Sequence, residues 1–236
     1  GPYYNAPMFR DGQPVTEPGY ITDVITDEAL RFLDGRDREK PFYLSVHYTA
    51  PHSPWVGCHP QEYVDLYRDC PFHSCPQEPA HPWANVDVIP GYKDPIPNLQ
   101  GYYAAVTAMD ANIGRLLDRL EAENLAEDTL VIYTSDNGFN CGQHGIWGKG
   151  NGTFPLNMYD SSVQVPFLAR HPGHIPEGRV CERMVSAYDF LPTLMEYLGL
   201  DNPLAGDLPG RSFAPWLRGE QAPEERPVVV FDEYGP

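Results

Sequence analysis

The segment from residue 99 to residue 134 restricts the choice of fold more than any other part of the chain. Tyr102, Val106, Met109, Ile113, Leu116, Leu117 and Leu120 form one apolar stripe on a helix predicted over 99–124. The β-branched run from Thr129 to Thr134 follows as a strand. A long one-sided helix feeding a short apolar strand is the unit from which α/β proteins are built. The pattern extends in both directions. Ile21, Val24, Ile25, Leu30 and Leu33 predict a helix over 21–34, stopped by Gly35. Residues 42–48, introduced by Pro41, and residues 165–169 read as buried strands, and one short helix is expected near 60–68. Ser186 to Asp189 has the form of a capping box, opening a helix that runs to Leu198 and closes at Gly199. The order helix, strand, helix, strand, strand, helix predicts an α/β fold with a mainly parallel sheet between helices.

This rhythm fades beyond residue 200. The expected division is therefore an α/β domain over 1–200 and the start of a smaller subdomain over 201–236, in which Val228 to Phe231 reads as a strand. The 26 Pro and 21 Gly predict long ordered loops between the elements. A formal charge of −17 argues against nucleic acid or an anionic membrane surface as a partner, because a polyanion would be repelled over most of the surface. No apolar run approaches the ~20 residues needed to cross a bilayer. The termini give no cellular address, and five cysteines leave at least one thiol unpaired within the chain.

In an open α/β sheet, functional groups collect in loops beyond the carboxyl ends of the strands. Two loops here are chemically loaded. One carries His52 within Ala50-Pro51-His52-Ser53-Pro54. The other opens with Asp136-Asn137-Gly138 and continues through five more glycines, with His144 and Lys149 among them, to Gly152. Asp136 and Asn137 offer hard oxygen donors suited to Ca²⁺ or Mg²⁺. Lys149 is a compact cation able to hold an anionic oxygen. His52 and His144 can donate to an anion or pass a proton to a leaving group. Each has a plainer reading, since Asp-Asn-Gly after a strand is also an ordinary turn and a histidine beside prolines is also an ordinary loop residue. The glycine-rich loop lacks P-loop spacing, so nucleotide binding is not indicated.

Taken together, Ala50 to Pro54 after one strand, Thr134-Ser135-Asp136-Asn137-Gly138 after another and Gly148-Lys149-Gly150 close behind resemble the sulfatase family of the alkaline-phosphatase-like superfamily. The similarity continues through Val165-Pro166-Phe167, Gly178-Arg179-Val180 and Asp189 to Leu194, and spans roughly 20–220 in order. The resemblance implies an alkaline-phosphatase-like sandwich that hydrolyses a sulfate monoester of a small molecule or carbohydrate. It implies that Asp136 and Asn137 hold a metal, usually Ca²⁺ with Mg²⁺ possible, that Lys149 binds the sulfate oxygens, that His52 serves the sulfate and bridging oxygen, and that His144 lines the substrate side. A neutral amide at Asn137, where phosphatases of the superfamily have histidine, favours one hard cation and the sulfatase branch. A phosphodiesterase or phosphonate hydrolase of the same superfamily stays open as an alternative.

The sequence also departs from the family. Sulfatases convert the Cys or Ser of Cys/Ser-x-Pro-x-Arg to formylglycine, and the nearest match here, Cys58 to Glu62, has Glu62 where Arg is required. The family's Asp-Asp metal pair is also absent from this sequence. Both features are expected in an N-terminal half outside these residues, so the chain by itself is expected not to turn over. A non-catalytic anion- and metal-binding module is the rival reading. A zinc module around Cys58, His59, Cys70, His73, Cys75 and His81 is a third, but its spacings match no regular zinc pattern. A Cys70–Cys75 disulfide, or free thiols packing a loop, is favoured over it.

Overall fold

The computed structural model describes residues 1–87, 89–204, 206–220 and 227–230. The chain forms two compact units. The first comprises Gly1–Glu123 and Gly138–Val163, and the second Asn124–Asn137 with the described part of Gln164–Pro236.

In the first unit, β1 (Tyr4–Arg10) and β2 (Gln13–Tyr20) form an antiparallel hairpin in which Arg10 pairs with Gln13. The two turn residues, Asp11 and Gly12, both have positive φ, a conformation that an Asp-Gly pair tolerates and a right-twisted hairpin favours. The chain then enters α1 (Ile21–Gly35), as the apolar spacing predicts, with Ile21, Ala29 and Leu33 buried. The short helix α2 (Gln61–Asp65) lies inside the expected range.

The main helix, α3 (Pro95–Ala122), starts one turn earlier than expected, with prolines in its first turn, where their missing N–H groups would lack helical partners in any case. Its closest-packed face consists of Gly101, Ala104, Ala105 and Ala108, while Leu116 and Leu117 are only half-buried. Small residues let neighbouring backbone approach. A Cβ on Gly101 would lie 2.5 Å from the Trp55 carbonyl oxygen. Polar ties join α3 to α1: Asn112 Nδ2 donates to Asp23 Oδ1 at 2.7 Å, and Arg119 pairs with Asp34.

Strand pairing differs from expectation. The described residues form three two-stranded ladders, all antiparallel, and no parallel pair. Residues 42–48 carry no ladder and alternate between exposed and half-buried, with Tyr43 75% exposed, so they are not the buried strand expected. An apolar β-branched run becomes a strand only when another backbone satisfies its N–H and C=O groups. In the second unit, β3 (Val131–Thr134) pairs with β6 (Phe167–Arg170) in the register Val131 to Arg170 and Thr134 to Phe167. That strand too is less buried than expected, since Leu168 is largely exposed.

The capping box at residue 186 forms as predicted. Ser186 N donates to Asp189 Oδ2 at 2.8 Å, and α5 (Phe190–Tyr197) follows and ends before Gly199 in the left-handed region. Asp189 Oδ1 also accepts from Arg211 N at 2.8 Å, which brings the chain back toward α6 (Ala214–Leu217), and Phe213 packs edge-on against Phe167. Val228 to Val230 carry no strand, and Phe231 lies outside the described residues, as does part of the 201–236 segment. Cys70 and Cys75 are both free thiols, so the disulfide expected between them is not formed and the packed-thiol alternative holds. Among the described residues no helix is long and apolar enough to cross a membrane.

Candidate active site

The lysine loop is a tight hairpin, not an open glycine tether. Its strands, β4 (Asn140–Cys141) and β5 (Trp147–Gly148), pair directly, and Gly142 N donates to Ile146 O at 2.9 Å. Ile146 and Trp147 are buried and root the hairpin in the core. Several of its glycines allow this close packing. Gly145, at φ +65°, brings the chain so near residues 79–81 that an added Cβ would overlap the Pro79 carbonyl oxygen, and its own carbonyl accepts from His81 N at 2.9 Å.

Two buried asparagines fix the loop further. Asn140 Nδ2 donates to Gly148 O at 2.9 Å and to Ser162 Oγ at 2.7 Å. Asn157 Nδ2 donates to the carbonyl oxygens of Lys149 at 3.2 Å and Gly150 at 3.0 Å. Ser162 Oγ, on the short helix α4 (Asp160–Val163), donates in turn to Asn157 Oδ1 at 2.6 Å. The backbone of Lys149 is thus clamped while its side chain remains half-buried. His144 holds a left-handed backbone, with φ 58°, and its exposed ring stacks on Tyr159 at 4.1 Å with an interplanar angle of 8°.

His52 lies on a separate loop held from both sides. Tyr3 OH donates to the His52 carbonyl oxygen at 2.6 Å, and Trp55 Nε1 donates to the Pro51 carbonyl oxygen at 2.8 Å. His52 Nδ1 lies 2.8 Å from the Ser53 carbonyl oxygen. A carbonyl only accepts, so Nδ1 carries a proton, and Nε2 can donate to an oxygen only when it is protonated as well, as in the imidazolium. Beneath this loop, His59 is buried, with Nδ1 2.9 Å from Tyr20 OH and its ring edge-on to Tyr3 at 4.4 Å. Burial pushes the His59 pKa down to about 4.

In the second unit, Asp136 and Asn137 follow β3 directly, as expected. Asp136 is exposed, with Ser135 Oγ 3.4 Å from its Oδ1, and the same hydroxyl donates to the Asn137 carbonyl oxygen at 3.1 Å. An adjacent carboxylate and amide form a hard donor pair that suits an oxygen-preferring divalent cation, which takes about six to eight oxygens in the case of Ca²⁺. Among the described residues no three His, Cys, Asp or Glu side chains converge on a metal position, so the zinc arrangement has no geometric basis.

A family model described as Sulfatase matches residues 2–200. The chain belongs to the sulfatase family. It is 28% identical to an N-acetylglucosamine-6-O-sulfatase of Bacteroides thetaiotaomicron, covering 93% of this chain and 50% of that protein. It is 32% identical to an endo-4-O-sulfatase of the same bacterium, covering 93% and 40%. It superimposes with a TM-score of 0.77 on a solved protein in complex with its substrate D-glucosamine-2-N,6-O-disulfate, at 25% identity, over 100% of this chain and 60% of that one. A phosphonate monoester hydrolase from Silicibacter pomeroyi shares the fold, with a TM-score of 0.70 at 24% identity over 95% and 48%. The chain therefore has the alkaline-phosphatase-like α/β fold, and it spans half or less of the length of these curated relatives.

Within this sulfatase chain, His144 and Lys149 share one hairpin. The loop of His52 and this hairpin share an anchor in the core, where Trp55, three residues after His52, packs at 6.0 Å on Trp147, two residues before Lys149. Asp136 and Asn137 belong to the other unit. Reading from the sequence misses Tyr3, Asn140 and Asn157, which only position others. The one available signal was Asn140 and Asn157 flanking a glycine run, and such residues read equally well as turn formers. Trp147 is buried core.

Proposed function

We propose that this chain carries the metal-binding and sulfate-binding part of a sulfuric ester hydrolase that releases sulfate from a sulfated carbohydrate. Asp136 and Asn137 are assigned to a Ca²⁺ ion, with Mg²⁺ as the nearest substitute, and Lys149 and His144 to the sulfate oxygens. His52, through Nε2, is assigned to the bridging oxygen. When bound, the cation would supply positive charge to an anionic ester. That help is needed because an anionic ester approaches a protein of net charge −17. Lys149 adds a fixed positive charge whose backbone cannot drift, which is the condition for stabilising charge that develops in the transition state without reorganisation. The formylglycine nucleophile is assigned to a part of the full-length protein outside these 236 residues.

The observation that carries this reading is the likeness over the whole chain to a protein whose substrate is a disulfated glucosamine. Sulfate release from 6-O-sulfated glucosamine by the full-length protein tests it, with a phosphonate monoester assayed alongside. Faster turnover of the phosphonate would move the reading to the sister activity. A second reading, the non-catalytic module, is favoured by Glu62 standing where the nucleophile motif needs Arg. Binding of the sulfated sugar without turnover by the full-length protein would select it.

A further inference from the structure

Residues 74–77, far away in sequence, run alongside the lysine hairpin. Gln77 Nε2 donates to both the Cys75 and the Cys141 carbonyl oxygens, each at 2.8 Å. Gln143 ties the same pair of segments from the other side. Its Oε1 accepts from Cys141 N at 2.6 Å and its Nε2 donates to Ser74 O at 2.8 Å. Gly142 packs against this strip, since a Cβ there would lie 2.6 Å from the Pro76 carbonyl oxygen. The two cysteines held in register are buried in one cluster with Trp55, Phe72 and Trp147.

We propose that Cys75 and Cys141 are a redox pair that closes to a disulfide on exposure to a peroxide, locking the hairpin that bears His144 and Lys149 onto residues 74–78. The two thiols are chemically unequal. Cys75 lies 3.4 Å from Tyr103 OH, and its neighbour Cys141 holds it below the ordinary thiol range, whereas Cys141 itself is pushed up. Cys75 is therefore the nucleophile and Cys141 the resolving thiol. The Cys75 thiolate attacks one peroxide oxygen and breaks the O–O bond. This gives Cys75 sulfenic acid and a hydroxide that leaves as water. The Cys141 sulfur then attacks the Cys75 sulfur and forms the S–S bond, and the expelled hydroxide takes the Cys141 proton. Two thiols give two electrons, and one peroxide becomes two waters. A small oxidant suits a pair this well buried, and the pairing does not depend on the function assigned to Lys149.

The test is a thiol map of the full-length protein after treatment with stoichiometric hydrogen peroxide, denaturation in an alkylating agent and digestion. The expected result is a peptide joining Cys75 to Cys141 that disappears on reduction. In Cys141→Ala, which removes the resolving thiol, Cys75 should instead be trapped as sulfenic acid by a dimedone probe. The proposal is overturned if both thiols are recovered alkylated under conditions that oxidise the exposed Cys181, or if Cys75 is found joined to Cys70. Should Cys141→Ala fail to fold, the map of the wild-type protein decides alone.

Discussion

Trp55 and Trp147 meet in the core with ring centroids 6.0 Å apart, and each roots one of the two loops that carry the candidate sulfate-binding groups. Trp55 also holds its own loop through Nε1 and the Pro51 carbonyl oxygen, and Trp147 Nε1 donates to Gln77 Oε1 at 3.1 Å. Both loops are thus anchored in one core.

Trp147→Ala should destabilise the full-length protein by about 3–5 kcal/mol, the usual cost of emptying a large aromatic site, and Trp147→Phe by less. Urea unfolding measures both. Equal, small losses for the two variants would show that the indole does not organise the hairpin.

Tyr3→Phe removes one hydrogen bond to the His52 carbonyl oxygen and leaves the ring in place. A stability loss of about 1 kcal/mol is expected. Because a misplaced proton donor acts on the chemical step, kcat should fall roughly tenfold with KM nearly unchanged. His52→Ala serves as the reference. If it is silent, the role of His52 is wrong; if it is damaging while Tyr3→Phe is silent, only the positioning role of Tyr3 fails.

Buried His59 predicts an acid sensitivity. Its pKa is about 4 in the fold against an ordinary 6.5, so the unfolded state binds more protons over that interval. Its contribution is present above pH 6.5 and lost as pH falls toward 4, by at most about 3 kcal/mol. His59→Gln should flatten the pH dependence of unfolding between pH 7 and pH 4.5. An unchanged slope would assign the acid sensitivity to other groups.

Metal removal should separate the two halves of the account. Chelation of the full-length protein is expected to abolish sulfate release, with recovery on adding Ca²⁺ and weaker recovery with Mg²⁺. Asp136→Ala should lower bound metal by elemental analysis. Retention of full metal content in that variant would remove Asp136 from the ligand set.

The parts of the molecule that were legible beforehand are those specified locally. The helix over Ile21–Gly35, the capping box at Ser186 and the strand ending at Thr134 depend on short-range spacing and hydrogen bonding, and they form as read. Residues 42–48 form no ladder because a β-rich run reports side-chain preference, whereas a ladder needs a backbone partner supplied from elsewhere. The β1–β2 hairpin carried a signal in Asp11-Gly12 that went unread among so many turn residues. For the candidate site, the chemistry-bearing residues were visible through motif resemblance. The asparagine clamp and Tyr3 were not, because their partners lie up to 49 residues away and involve backbone oxygens that no side-chain pattern encodes.

The central claim is that Lys149 holds the sulfate of a sulfated sugar. The most direct measurement is sulfate release from 6-O-sulfated glucosamine by the full-length protein and by Lys149→Ala, with circular dichroism on both. The account predicts a loss in kcat/KM of about 10²-fold or more for the variant, with unchanged spectra. Equal turnover by both proteins would contradict it.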